Sequence, residues 1–143
     1  QAILNKDIPV VKLDDNGGII RVIAGDYAGT KGAANTFTPI NLWDMRMKTG
    51  HKIDLQLSAG FTTILLVLQG TVLVNGTETI KGKELAIFEH EGDLISLKAT
   101  SDTICLVLNG EPIDEPIIGQ GPFVMNTQDE IDQAMADYHA GRF

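Results

Sequence analysis

Between Thr62 and Leu108 the apolar residues come in short runs punctuated by Gly, Asp, Asn and Glu, and this rhythm sets the fold class. Runs so short and so rich in Val, Ile, Leu and Thr make strands, and turn residues recurring about every 8 to 12 positions are the pattern of an all-β sandwich or barrel. The sharpest local signal is Asn75-Gly76 between Thr71–Val74 and Thr77–Ile80. Asn-Gly supplies the two positive φ values that a type I′ hairpin turn needs. Further strands are predicted over Gly18–Ile23, Leu42–Lys48, Ile53–Leu57, Leu85–Phe88, Leu94–Lys98 and Thr103–Leu108. In Leu42–Lys48 the residues Trp43, Met45 and Met47 face inward, and Asp44, Arg46 and Lys48 face solvent. Thr62–Gln69 is apolar on both faces and reads as a central strand. About eight antiparallel strands in two sheets make a jelly roll. Gly25–Pro39, rich in Gly, Ala, Thr and Asn, reads as an irregular loop.

The end of the chain breaks the rhythm. Thr127 and Glu130 form a capping box, Ile131, Ala134, Met135 and Tyr138 make one apolar stripe, and Gly141 supplies a left-handed stop. A helix over 127–140 follows. Its stripe packs either on its own β-sandwich or on a second domain or subunit.

Composition closes off several functions. At 143 residues and a formal charge of −8, with no basic cluster, the chain is a single domain that does not bind nucleic acid through phosphate neutralisation. No apolar run is longer than Ile64–Leu68, which is far short of a membrane-spanning helix. Gln1–Asp7 lacks the basic flank and apolar stretch of a signal peptide, and the lone Cys105, inside an apolar run, reads as a buried thiol in a reducing, cytoplasmic compartment. His51, His90 and His139 are too scattered to form a metal-ligating pair, and read as solvated surface histidines. No Gly-x-Ser-x-Gly elbow occurs, and Gly25, Gly29 and Gly32 precede no helix that could cradle phosphate. No catalytic residue is assigned.

Some stretches resemble a known family. Ile20 to Gly25, Gly29 to Gly32, Thr38-Pro39-Ile40, and above all Gly121-Pro122-Phe123-Val124-Met125-Asn126-Thr127 ahead of the capped helix are similar to the C-terminal half of pirin-family proteins. The ending resembles it too: Glu130-Ile131 to Ala134, Asp137-Tyr138, and Gly141 to Phe143. The resemblance runs from about Ile8 to Phe143, with Ala33 departing from the family's frequent proline. It implies a cupin-type double-stranded β-helix with a short C-terminal helix, one C-terminal cupin domain over 1–143, in which 1–17 is the interdomain connection or N-terminal arm. Pirins are bicupins whose N-terminal cupin holds an iron-type ion through three histidines and a glutamate, while the C-terminal cupin is usually empty.

The family's His-x-His motif precedes a Gly-Phe that matches Gly60-Phe61, so the resemblance puts Gln56 and Ser58 in the ligand positions. The second pair falls at Thr103 or at Cys105, with Val107 two residues on. The resemblance therefore implies no metal and no cofactor in this chain, and a residual polar pocket at Gln56, Ser58, Thr103 and Cys105. The expected role is to support an N-terminal metal-binding cupin in a parent that is an iron-dependent quercetin 2,3-dioxygenase-like enzyme or a transcription co-regulator. Ile131, Ala134, Met135 and Tyr138, with Ile8 to Val11, are the expected contact surface for that N-terminal cupin, or for a second copy as a homodimer. The alternative is a free-standing small-molecule-binding or enzymatic cupin using the pocket near Gln56, Ser58 and Cys105.

Overall fold

The computed structural model describes residues 1–142, so Phe143, the last residue of the resemblance, lies outside it. The chain divides into two compact units, Gln1–Pro112 and the remainder from Ile113.

The first unit begins with β1 (Val10–Lys12), β2 (Gly18–Ala24), β3 (Asp26–Tyr27), β4 (Thr30–Lys31), β5 (Ile40–Met47) and β6 (Lys52–Gln56). It continues with β7 (Thr62–Gln69), β8 (Thr71–Val74), β9 (Glu78–Lys81), β10 (Glu84–Ile87), β11 (Leu94–Ala99) and β12 (Thr103–Gly110). Strands in the order β1-β2-β5-β12-β7-β10 make a six-stranded sheet, and β6-β11-β8-β9 make the facing four-stranded one. Every pairing in the two sheets is antiparallel, which is the expected jelly roll. Alternation along each strand sends Ile20, Val22, Met45, Met47, Leu65, Val67, Cys105 and Val107 inward from the larger sheet. There they meet Leu55, Val72, Val74 and Leu97 from the smaller one.

The Asn75-Gly76 turn forms as read, with φ of 50° and 74° and the Thr77 N–H donating to the Val74 carbonyl at 3.0 Å. Within the arm over 1–17, β1 pairs with β2 and Val11 packs on the core. The Gly25–Pro39 loop carries the small β3–β4 hairpin, turned by Ala28 and Gly29 at positive φ. β7 is paired on both sides, by β12 and β10, but β5 and β12 are the central strands.

The second unit holds β13 (Ile118–Gln120), β14 (Phe123–Met125) and α1 (Gln128–His139). The capping box is complete. The Glu130 N–H donates to Thr127 Oγ1, and Glu130 Oε2 accepts from the Thr127 N–H at 2.9 Å. Gly141 at φ 67° and the Arg142 N–H on the Asp137 carbonyl close the other end. The helix lies on the β13–β14 hairpin, with Ile131 and Ala134 buried, Met135 half-buried and Tyr138 exposed. The Tyr138 ring stands edge-on to Phe123 of β14, with centroids 6.2 Å apart. Among the described residues no helix is long and apolar enough to cross a membrane.

Candidate functional site

One end of the β-sandwich opens into a cleft of about 380 Å³. Its walls come from the segment between β6 and β7, the β8–β9 hairpin, and the segment between β10 and β11. Two backbone bonds fix the frame. The Leu57 N–H donates to the Asp93 carbonyl at 2.7 Å, and the Gly60 N–H donates to the His90 carbonyl at 3.0 Å. The His90 ring adds a contact of 3.3 Å from Nε2 to the Thr62 hydroxyl. Leu57, Phe61, Val74, Ile80 and Ile95 make the cleft apolar within, while Glu78, Glu89, Glu91 and Asp93 stand at its rim.

Beneath the cleft lies a chain of polar groups that the sequence reading does not contain. Asn109 is buried; its Nδ2 donates to Thr63 Oγ1 at 2.9 Å, and its Oδ1 accepts from Asn41 Nδ2 at 3.0 Å. Asn41 Oδ1 in turn accepts from the Asp26 N–H at 3.1 Å. A β-carbon on Gly25 would fall 2.1 Å from that Oδ1, so only glycine fits beside it. The predicted strand Thr103–Leu108 stops short of Asn109 and Gly110. β12 carries on through both, and register with Asn41 and Thr63 brings the Asn109, Asn41 and Thr63 side chains together.

Deeper still, Leu55, Leu65, Phe88, Ile95, Leu97 and Val107 close around Thr63 and leave no space for a water molecule. A transition metal needs several nitrogen, sulfur or carboxylate donors on one point. Among the described residues no group of three or more His, Cys, Asp or Glu converges anywhere. Burial pushes the Cys105 thiol up to about 12, with the Asp44 carboxylate adding to the shift, so the thiolate form that binds metals is disfavoured. The residues lining this interior do not fit a metal ion.

The four residues of the expected pocket do not come together. Strand alternation turns Leu55 and Leu57 inward, leaving Gln56 and Ser58 exposed, and of the four only Ser58 reaches the cleft. Thr103 is buried near Gly70, where its hydroxyl accepts from the Thr71 N–H at 3.2 Å and lies 2.9 Å from the Ser101 carbonyl. Cys105 sits in the core between Met45 of β5 and Val67 of β7. Asp44 also departs from the solvent-facing expectation. It is 7% exposed and bound to Arg21 at 2.7 Å, because β2 places Arg21 directly opposite it. Of the histidines, His90 and His139 are exposed, and His51 is half-buried with its ring in the space a Gly17 side chain would take.

Comparison with known proteins agrees with this geometry. The family model described as the pirin C-terminal cupin domain matches residues 42–143. A Pseudomonas aeruginosa relative carrying the provisional name quercetin 2,3-dioxygenase is 45% identical over 143 residues, all of this chain and 50% of that protein. Pirin-1 of Arabidopsis thaliana is 37% identical over 138 residues, 92% of this chain and 47% of its own. The crystal structure of a quercetin 2,3-dioxygenase from Acinetobacter baumannii superposes with a TM-score of 0.90 at 51% identity, covering 100% of this chain and 50% of the other. The chain thus spans about half the length of the relatives it matches.

Proposed function

The chain belongs to the pirin family, as its C-terminal cupin domain, and from that premise we propose that it is the metal-free, supporting half of a two-cupin cytoplasmic protein. The observation that carries this reading is the interior around Thr63, where aliphatic and aromatic side chains occupy the centre of the barrel and leave no donor set. Chemistry of the quercetin 2,3-dioxygenase kind, named in the relatives, then belongs to the other half, and this half contributes a rigid surface to lean on. The lone, buried Cys105 suits a reducing cytoplasm.

The test is to incubate the purified chain with ferrous iron under anaerobic conditions, remove unbound metal by gel filtration, and measure bound iron and oxygen uptake with quercetin. Substoichiometric iron and no uptake are expected. One iron per chain with turnover of quercetin refutes the reading and returns the chain to the class of free-standing enzymes.

A further inference from the structure

We propose that the cleft at the end of the β-sandwich binds a small aromatic amine, with its protonated nitrogen among the rim carboxylates and its ring against Phe61 and Phe88. Local structure holds the rim in place. Glu89, Glu91 and Asp93 lie on the segment between β10 and β11, which turns at Gly92 with φ of 86° and is tied to the segment before β7 through the Gly60 and Leu57 amides. Glu78 opens β9, just past the Asn75-Gly76 turn. The acidic groups therefore come from two separate segments around one opening.

Nothing in the protein answers these charges. None of the four carboxylates is in an ion pair or accepts a hydrogen bond among the described residues, and no lysine or arginine lines the cleft. Four like charges around one opening repel one another, and a cation between them relieves that repulsion. They do not form a metal site, since no group of three or more His, Cys, Asp or Glu among the described residues is placed to hold an ion. A charge carried on a larger organic body suits their spacing.

The interior of the cleft sets the nature of that body. Its volume of about 380 Å³ lies in the range of small-molecule sites, and its inner walls are apolar. Phe61 and Phe88 add two aromatic rings, which attract both a flat ring and an ammonium group. At the floor Thr63 is 5% exposed, and its hydroxyl accepts from Asn109 Nδ2 while its own proton has no acceptor among the described residues. An oxygen on the inner end of the ligand takes that proton, because a buried donor without a partner is costly and gains from acquiring one. The filled barrel around Thr63 leaves no room for the ligand to go deeper. The ligand class is thus an aromatic amine with an oxygen on the far side of its ring.

Tyramine has these three parts, and its relatives remove them one at a time. Tyrosol replaces the amine by a neutral hydroxyl, 4-hydroxyphenylacetate reverses the charge, and phenethylamine lacks the phenol oxygen. Calorimetric titration of the full chain, with amide NMR to place each ligand, should give one tyramine per chain and shifts at Phe61, Phe88 and residues 89–93. Tyrosol should bind about tenfold more weakly, phenethylamine about fivefold more weakly, and 4-hydroxyphenylacetate not at all. Glu78→Gln, Glu89→Gln and Glu91→Gln, all at exposed positions, should each weaken tyramine about two- to fivefold and leave tyrosol unchanged. The chain's charge of −8 attracts cations everywhere, so Asp7→Asn, ahead of β1 at the opposite edge of the larger sheet from β10, is the control and should change nothing. Equal affinity for tyramine and tyrosol overturns the proposal, as does the absence of saturation at millimolar tyramine. Shifts scattered over the acidic surface, with Asp7→Asn as effective as Glu89→Gln, overturn it too. Phenethylamine binding as tightly as tyramine overturns the role given to Thr63. Displacement of tyramine by lower concentrations of trilysine makes a basic peptide the occupant and overturns the small-molecule assignment.

Discussion

Replacing Asn109 with alanine breaks two links of the buried polar chain at once. The side chain is 1% exposed and makes two hydrogen bonds, 2.9 Å to Thr63 and 3.0 Å to Asn41. Each bond contributes about 1 kcal/mol net, and the Thr63 hydroxyl, left buried without its partner, adds about 1 kcal/mol more, so the loss is about 3 kcal/mol. For a chain of this length that is a fall in Tm of about 10 °C, readable by calorimetry or by guanidinium unfolding at constant slope. The mechanism makes a second demand. Thr63→Val with Asn109→Leu removes donor and acceptor together, and the double variant should lose about 1 kcal/mol less than the two single variants added. An Asn109→Ala variant within about 0.5 kcal/mol of the parent, or strict additivity in the cycle, would refute the assignment of this chain as a structural tie beneath the cleft.

Cys105 and the helix cap give two pH-dependent predictions. The Cys105 thiol is raised by burial to about 12, so the folded state keeps its proton while the unfolded chain loses it above about 8.5. Its contribution to stability is whole below the unfolded pKa and is lost as pH rises toward the folded one, at about 1.4 kcal/mol per pH unit. Wild type should therefore lose stability more steeply than Cys105→Ala between pH 8 and pH 10, and equal slopes would contradict the burial argument. The native thiol should also fail to react with a disulfide reagent until the protein unfolds. At the other end of the scale, hydrogen bonds from the Thr127 hydroxyl and from the Thr127 and Asn126 N–H groups hold the Glu130 carboxyl below its usual range. A depressed carboxylate stabilises above its unfolded pKa and ceases to as pH falls through the folded one. Thr127→Ala should reduce far-ultraviolet helicity at every pH, through the lost cap on the Glu130 N–H, and by more at neutral pH than in acid, where the protonated Glu130 no longer gains from the Thr127 hydroxyl; a difference no larger at neutral pH would count against the hydroxyl's bond to the carboxylate.

What could be read in the sequence was what local chemistry decides. Asn75-Gly76 turns the chain without help from elsewhere, Thr127 and Glu130 begin a helix by satisfying each other's amides, and Trp43, Met45 and Met47 mark their face by spacing alone. The misread positions depend on a strand that arrives from far along the chain. Asp44 looks solvent-bound until β2 sets Arg21 opposite it, and the strand that seems to end at Leu108 runs on through Asn109 because β5 and β7 flank it there. Gln56 and Ser58 took their pocket positions from a motif resemblance, whereas Leu55 and Leu57, the better hydrophobes beside them, claim the inward face. The β3–β4 hairpin escaped because two paired residues leave no periodicity to find. The apolar outer face of β7 was visible as a run without alternation. It read as the mark of a central strand, although the strand's outward side is only partly covered.

The claim on which the function rests is that the barrel interior cannot hold a metal ion. A titration of the isotopically labelled chain with manganese(II), followed by amide NMR, tests it at the place itself, because the ion broadens only the signals near it. The account predicts that Leu55, Thr63, Cys105 and Val107 keep their intensities, with any losses confined to the exposed carboxylates Glu89, Glu91 and Asp93. Selective broadening centred on Thr63 and Val107 at stoichiometric manganese would contradict it.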